Sequence, residues 1–242
     1  MTLVSGEPCE VWWGRPTSAA PQLLDLLSGA ERAYQAALRQ PADRDRYLVS
    51  HSLLRILLGR RLGIAPAAVA LAGGDGKPRL AGPSPEHEFS LSHSGQSVVV
   101  AITTDVPVGV DVERVRTGRD LAALIERVLT PQEQSALADR SGTARDEAFY
   151  RYWVRKEAAV KATGHGMRMP LGAITVSAPD EPARLLSWPA DDAPPAAIRL
   201  HDLEAGDGHV ACLATLGTSA IAVEEHDGAA LLDAFRRRPQ PA

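Results

Sequence analysis

Apolar side chains recur at a helical period in several stretches of the chain. Residues 43–62 carry leucines near this period, and the following Gly63 is a common residue at a helix end. A second long helix is predicted up to residue 163, where Gly164 stops it. In full, helices are predicted over residues 23–27, 30–39, 43–62, 119–129 and 146–163, and Thr130-Pro131-Gln132-Glu133 has the form of a capping box that opens one more.

Short or alternating apolar runs between these helices predict strands. Residues 107–113 alternate cleanly: the three valines share one face, so Gly109, Asp111 and Glu113 share the other. Further strands are predicted over residues 89–91, 97–103, 173–177, 198–203, 210–216 and 220–224, with loops over 71–88 and 179–195 and a frayed tail over 236–242. Because helices and hairpin-like strands occur without strict βαβ alternation, we expect an α+β fold with mainly antiparallel sheets.

The composition is typical of a globular protein with a sizeable core. Of the 242 residues, 45% are hydrophobic and 23% are charged, and 26 lysines and arginines stand against 30 aspartates and glutamates. This balance gives no indication of a face that binds nucleic acid. No segment approaches the roughly 18 apolar residues that a membrane span needs, so we expect no membrane partner.

The two cysteines, Cys9 and Cys212, lie far apart in the sequence. They offer neither a disulfide framework nor a zinc site, and such usage is typical of a reducing cytosol. Residues 1–10 lack the basic region and apolar run of a signal peptide. We therefore expect an unprocessed, soluble, cytoplasmic protein.

The first candidate chemistry lies on the strand over residues 107–113. Asp111 and Glu113 share one face of this strand, with backbones roughly 6 to 7 Å apart, and two carboxylates at that spacing can bind one hard cation. Gly109 is expected to leave room beside them. A solvated strand face is the alternative explanation of an isolated Asp-x-Glu pair.

The second candidate lies on the helix over residues 146–163. Trp153, Glu157 and Lys161 recur every fourth residue and share a stripe, although Glu157 and Lys161 alone would indicate a surface ion pair. Beside the strand carboxylates, Glu157 offers a third metal ligand, and Lys156 and Lys161 offer cations to phosphate oxygens. Because Mg²⁺ takes few protein carboxylates and further ligands from a substrate phosphate, we expect a phosphate-bearing substrate.

Further residues are candidates for binding an anion. Ser92-His93-Ser94 is predicted as a strand-to-strand turn where hydroxyls and backbone amides converge, although the hydroxyls could instead close the turn. Lys77 places a cation on a rigid loop before Pro78, and Arg46 places another on the helix over residues 43–62. A solvated side chain is the alternative for both. Glu133 already has a structural role in its capping box and is a secondary candidate.

These segments, in this order, resemble the surfactin-type 4′-phosphopantetheinyl transferase family. The matching segments are Gly76-Lys77-Pro78, Phe89-Ser90-Leu91-Ser92-His93-Ser94, Gly109-Val110-Asp111-Val112-Glu113 and Trp153-Val154-Arg155-Lys156-Glu157-Ala158-Ala159-Val160-Lys161-Ala162-Thr163-Gly164. The last segment fills every fixed position of the family's tryptophan, lysine-glutamate, lysine, glycine signature. The likeness extends more weakly over residues 23–216.

The resemblance implies a pseudo-twofold molecule of two similar α+β lobes, residues 1–106 and residues 107–242. Coenzyme A and Mg²⁺ would bind in the cleft between the lobes, and a monomer would suffice. Asp111, Glu113 and Glu157 would hold the metal, which also binds the pyrophosphate of coenzyme A. The side chains expected to hold the coenzyme A phosphates are Arg46, Lys77, Ser92, His93, Lys156 and Lys161.

The implied reaction converts an apo acyl or peptidyl carrier protein to its holo form. Glu157, directly or through water, is the expected base for the carrier serine, whose oxygen attacks the β-phosphorus of coenzyme A while 3′,5′-ADP leaves. Asp111 acts in catalysis through the metal, and Lys161 helps to stabilise the leaving group. Metal and lysines chiefly position and neutralise, as in phosphoryl transfer generally.

Three positions depart from the family pattern. Family members often carry lysines directed toward the 3′-phosphate where this chain has Glu31 and Tyr34, so Arg46 is expected to take over that contact. Tyr47 stands where a small polar residue is familiar.

Two other functions use the same residues. A magnesium-dependent phosphohydrolase would employ the carboxylates and lysines with water as the nucleophile. A carrier-protein-binding module with an inactive site would form a complex without modifying its partner.

Overall fold

A computed structural model describes residues 7–72, 78–81, 86–189, 197–217 and 220–237. Its helices are α1 (Gly29–Ala37), α2 (Pro41–Leu62), α3 (Ala122–Val128), α4 (Pro131–Ala138), α5 (Gly142–Thr163) and α6 (Ala229–Arg236). Its strands are β1 (Cys9–Gly14), β2 (Leu71–Ala72), β3 (Arg79–Leu80), β4 (His87–Ser94), β5 (Ser97–Thr104), β6 (Val108–Arg114), β7 (Thr175–Val176), β8 (Leu185–Ser187), β9 (Ile198–Leu203), β10 (His209–Leu216) and β11 (Val223–Asp227). In these ranges, every helix is too short or too polar to cross a lipid bilayer.

Two sheets form the middle of the molecule. The first has the strand order β11-β1-β5-β4, and the second has the order β6-β10-β9. Within them, only the pairing of β11 with β1 is parallel, and the other pairings are antiparallel. Mixed helices and mainly antiparallel sheets confirm the predicted α+β class.

Each sheet carries a long helix on its outer side. Apolar side chains of α2 pack with those of β5 and α6 in one core, and α5 packs with β10 in another. A third core lies between the sheets, where Val11 and Val99 of the first sheet meet Val110 and Leu213 of the second. The layers therefore run in the order α2, first sheet, second sheet, α5.

Both long helices end at the predicted glycines. Gly63 after α2 has φ 66° and Gly164 after α5 has φ 73°, which is left-handed backbone that glycine adopts without a steric penalty. The capping box at the start of α4 is also present, since the side chains of Thr130 and Glu133 each bond to the backbone of the other.

Several elements were not predicted. β1 pairs on both sides with strands that are distant in sequence. It was missed because no hairpin turn beside it indicated a strand. The strands β2, β3 and β8 lie inside the predicted loops, whereas β7, which pairs with β8, falls within the strand predicted over residues 173–177. The final helix α6 was likewise missed.

The last described segment, residues 220–237, returns to the N-terminal half of the chain. β11 pairs with β1, and Leu231 and Leu232 of α6 lie in the core beneath α2. Residues 220–237 therefore pack with the first sheet, although the predicted boundary between residues 106 and 107 assigned them to the second lobe.

Candidate active site

Serines join β4 and β6, which are edge strands of different sheets. Ser90 Oγ accepts a hydrogen bond from the Val110 amide at 3.0 Å, and Ser94 Oγ accepts one from the Arg114 amide at 3.1 Å. We call Ser90, Ser92 and Ser94 the serine row. Because alternate residues of a strand share a face, the serine row connects the two edges through side chains.

Two members of the serine row hold the acidic pair. Ser92 Oγ donates to Asp111 Oδ1 at 2.8 Å, and Ser94 Oγ donates to Glu113 Oε2 at 2.6 Å. Asp111 is only 5% exposed, which does not agree with a solvated strand face. The role of Ser94 was not predicted, although the regular spacing of three serines two residues apart was a signal for it.

Helix α5 supplies a cation to the same carboxylate. Lys161 Nζ donates to Asp111 Oδ1 at 2.7 Å and to the Val110 carbonyl at 3.1 Å. The other oxygen, Asp111 Oδ2, is buried and has no hydrogen-bond partner among the described residues. Since burying an unpaired carboxylate oxygen is costly, Oδ2 is a ready ligand for a cation.

Gly109 allows α5 to approach β6. A Cβ atom at this position would lie 2.1 Å from the Ala158 carbonyl oxygen and 2.4 Å from the Ala162 nitrogen, distances that no side chain tolerates. The same contact brings the Lys161 backbone against the strand. The expectation that Gly109 leaves space beside the carboxylates was therefore wrong, because the backbone of α5 fills that space.

Glu157 lies one turn before Lys161 on α5. Burial raises the pKa of Glu157, and the Asp111 charge raises it further. Burial likewise raises the pKa of Glu113, with the Ser94 hydroxyl opposing and Asp111 adding to the shift. Asp111 thus acts electrostatically on both other carboxylates.

The three carboxylates do not form a closed ligand set. Within the described ranges, no three His, Cys, Asp or Glu side chains lie close enough together to hold a metal ion. The structure therefore joins Asp111 and Glu113 through the serine row and places Glu157 within electrostatic range, without a common coordination point.

The predicted turn at Ser92-His93-Ser94 was wrong. These residues continue β4, which pairs with β5 as far as Ser94, and the turn consists of Gly95 and Gln96. Strand alternation puts His93 on the face opposite the serine row.

His93 lies among cationic side chains. Burial lowers its pKa, and the charges of Arg46, Lys161 and His51 act in the same direction. Arg46 reaches from α2 to donate to the Gly95 carbonyl at 3.1 Å. Arg46, His93 and Lys161 are therefore the side chains of one cationic region, in which a neutral imidazole can still donate one hydrogen bond.

Lys156 does not reach this region. Its ammonium is fully buried and donates to Glu133 Oε2 at 2.5 Å, to the Val128 carbonyl at 2.7 Å and to the Leu171 carbonyl at 3.2 Å. These contacts use all three of its donors. The prediction that Lys156 neutralises phosphate was wrong. Successive residues of a helix point about 100° apart, so Lys156 lies off the stripe that carries Glu157 and points into the core.

Glu133 is a structural residue. Its carboxylate accepts hydrogen bonds from the Thr130 amide at 2.9 Å and the Val176 amide at 3.0 Å, in addition to the Lys156 ammonium. It is 2% exposed and joins α4, α5 and β7. Lys77, the remaining predicted anion-binding residue, lies outside the described residues.

An acidic pair, a lysine and a cationic region meet at the junction of the two sheets, and such a set of side chains suits an anionic ligand. The sequence pattern of the 4′-phosphopantetheinyl transferase superfamily (ACPS) matches residues 107–214, which include β6 and α5. The chain is 32% identical to the 4′-phosphopantetheinyl transferase HetI of Nostoc sp. strain PCC 7120, over 78% of this chain and 82% of HetI. This chain belongs to the 4′-phosphopantetheinyl transferase superfamily.

Two Bacillus subtilis proteins support the same assignment. A 4′-phosphopantetheinyl transferase is 28% identical over 80% of this chain and 86% of its own length. The 4′-phosphopantetheinyl transferase Sfp of strain 168 is 23% identical over 84% of this chain and 90% of its own length. The predicted resemblance to the surfactin-type transferases, and the transferase class, are confirmed.

Proposed function

We propose that this enzyme transfers the 4′-phosphopantetheine group of coenzyme A to a serine of an acyl or peptidyl carrier protein, with Mg²⁺, and releases 3′,5′-ADP. The observation that carries this proposal is the arrangement around Asp111. Its carboxylate is held by Ser92 and Lys161, while Oδ2 has no hydrogen-bond partner in the described chain. The names of the relatives support the transferred group.

The acidic pair fits Mg²⁺ by the chemistry of its donors. Magnesium is commonly held by one or two carboxylates and keeps water and substrate phosphate as its other ligands, so a closed protein cage is not required. Asp111 and Glu113 would hold the ion, and Glu157 would add a further carboxylate. When bound, Mg²⁺ supplies positive charge against the pyrophosphate and the leaving group.

Glu157 is the proposed base. Its raised pKa, caused by burial and by the Asp111 charge, brings the carboxyl closer to the pH at which a proton is exchanged efficiently. Directly or through a water molecule, Glu157 takes the proton of the carrier serine. The serine oxygen forms a bond to the β-phosphorus, and the bond from that phosphorus to the bridging oxygen breaks. The bridging oxygen departs with 3′,5′-ADP.

The cationic region binds the phosphates. The Lys161 side chain is 27% exposed while it is paired with Asp111, so its ammonium can also face a phosphate and stabilise the leaving group. His93 and Arg46, together with Lys77, would hold the nucleotide phosphates, whereas Ser92 already donates its single hydroxyl proton to Asp111. Lys156 has no part in this set.

We also propose that the two lobes are related by a pseudo-twofold axis and that the site lies in the cleft between them. α2 and α5 each contain 22 residues and each covers the outer side of one sheet. Each also carries a buried arginine that binds carbonyl groups and one carboxylate. Arg55 binds Glu31 in α1, and Arg155 binds Asp202 in β9. Because one chain supplies every proposed catalytic residue, a monomer is sufficient.

Intact-mass measurement of an apo carrier protein tests the proposed reaction. Incubation with the enzyme, coenzyme A and Mg²⁺ is expected to add one phosphopantetheine group to the carrier. Free phosphopantetheine with an unmodified carrier would indicate a hydrolase. A stable complex with an unmodified carrier would indicate an inactive binding module.

Asp111→Ala tests the site itself. Loss of a carboxylate from the proposed metal site is expected to reduce turnover by at least about 100-fold, because the metal contributes several kcal/mol of charge stabilisation. The fold should persist, since the side chain is not part of an apolar core. Asp139→Ala removes an exposed carboxylate from the end of α4 and is the matched control. Near-normal activity of Asp111→Ala with Mg²⁺ contradicts the assignment.

A further inference from the structure

Three aromatic rings from α1 and α2 lie in contact beside the cationic region, two of them stacked and the third tilted. Tyr47 and His51 have ring centroids 3.8 Å apart at an angle of 19°, and Tyr34 lies 5.0 Å from Tyr47 at 40°. We call Tyr34, Tyr47 and His51 the ring stack. Tyr34 is 55% exposed, whereas the other two rings are partly buried. The ring stack therefore ends at a ring that solvent reaches.

The ring stack borders the place where phosphates are proposed to bind. Arg46 precedes Tyr47 on α2 and extends to the Gly95 carbonyl beyond the end of β4. The charges of His51 and Arg46 both act on His93. A ligand with phosphates at His93 and Arg46 thus has an aromatic surface close by.

Glu31 does not place an uncompensated negative charge at this end of the site. Its carboxylate is bound by Arg55, with Nη2 to Oε2 at 2.6 Å, and by His51 Nδ1 at 3.2 Å. Although burial acts to raise the pKa of Glu31, the hydrogen bonds from His51, Arg55 and Ser28 hold it well below its usual range. Glu31 therefore fixes the His51 ring, on which Tyr47 stacks.

We propose that the exposed ring of Tyr34 binds the purine base of the nucleotide co-substrate by stacking, supported by Tyr47 and His51. The inference rests on the proposed use of coenzyme A. A purine base is uncharged and presents an aromatic face, so it matches an exposed tyrosine better than a phosphate does. A stacking contact between two uncharged rings involves no ion pair. Its strength should therefore depend little on salt.

Substitutions at Tyr34 in the full-length enzyme test the stacking. Tyr34→Ala is expected to raise the Kd of 3′,5′-ADP, measured by calorimetry without a carrier, by roughly 5- to 100-fold. The KM for coenzyme A should rise by the same factor while kcat changes little. Tyr34→Phe keeps the ring and should bind like the unaltered enzyme. Leu186→Ala removes a side chain that is 54% exposed on β8 and should change nothing.

The outcomes separate stacking from other roles. If Tyr34→Phe weakens binding as much as Tyr34→Ala does, the hydroxyl makes the contact and stacking is refuted. An unchanged Kd in Tyr34→Ala also refutes it, provided that the variant melts at the temperature of the unaltered enzyme. Failure of the unaltered enzyme to modify any carrier refutes the proposed function instead, and the calorimetric comparison still decides the stacking.

Discussion

Asp111 and Lys156 are both buried, and at the residue scale their surroundings give them different roles. The Lys156 ammonium has a protein oxygen for each of its donors, whereas Asp111 Oδ2 has no partner among the described residues. A buried charge that is fully paired belongs to the fold. A buried oxygen that is not paired is a candidate for binding a ligand.

Lys156→Met should therefore affect stability more than activity. The substitution leaves the Glu133 carboxylate buried without its cation, which is expected to lower the free energy of unfolding by about 3 to 5 kcal/mol. Chemical denaturation measures this loss, and steady-state kinetics below the melting temperature should give an unchanged KM for coenzyme A. Adding Glu133→Gln should recover part of the stability. A raised KM for coenzyme A at an unchanged free energy of unfolding would instead indicate that Lys156 binds phosphate.

At the scale of elements, the site depends on how closely α5 lies on β6. Gly109 permits this contact, which brings Lys161 to Asp111 and places Glu157 within electrostatic range of it. The serine row holds β4 against β6 through side-chain hydrogen bonds. The geometry of the proposed site is thus set by two contacts between elements.

Gly109→Ala should separate these elements. The added methyl group would overlap the Ala158 carbonyl, so the helix must move away from the strand at a cost of about 3 kcal/mol. Thermal unfolding and the transfer assay should both show a loss, because Lys161 is withdrawn from Asp111. Gly29→Ala, at the start of α1 with nothing within 4 Å of the new atom, is the control that should lose neither. Equal behaviour of the two variants would show that the close approach is not required.

Glu31 joins α1 to α2 and should make that junction sensitive to acid. Its pKa is lowered from the ordinary value of 4.5 by its hydrogen bonds to His51, Arg55 and Ser28, which outweigh the effect of burial. The stability from the ionised carboxylate is therefore complete above pH 4.5 and is lost as the pH falls toward the lowered pKa. Chemical denaturation between pH 7 and pH 3 should show that Glu31→Gln has a lower free energy of unfolding than the unaltered enzyme at neutral pH. This difference in free energy should narrow below pH 4.5. A difference in unfolding free energy that stays constant down to pH 3 would contradict this.

At the scale of the whole molecule, three cores hold the layers together. One lies under α2, one lies under α5, and the third lies between the sheets. The last described segment closes the first of them, because β11 adds a strand beside β1 and α6 covers the core. The last described segment is therefore part of the packing around the first sheet.

Leu232→Ala tests this closure. Leu232 is fully buried under α2, and its truncation should cost about 2 to 5 kcal/mol of unfolding free energy. Ala234→Ser, on the exposed side of the same helix, should change stability by less than about 0.5 kcal/mol. Urea denaturation of both variants provides the comparison. A negligible loss in Leu232→Ala would mean that α6 is peripheral.

Much of the fold could be predicted because its signals are local. The period of the leucines predicted α2, and the alternation of valines predicted β6 and the face that carries the acidic pair. The pairing of β1 with β11 could not be predicted, because the two strands are distant in the sequence and meet only in the folded chain. Their short segments have no shared turn or periodic signal.

The sequence by itself determined which residues can carry the chemistry and which periodic elements hold them, because residue type and spacing are local properties. Only the tertiary structure decided that Lys161 reaches Asp111 while Lys156 turns into the core. It also decided that Ser94 holds Glu113. Those outcomes depend on how two sheets and a helix pack, and packing brings together side chains that are distant in the sequence.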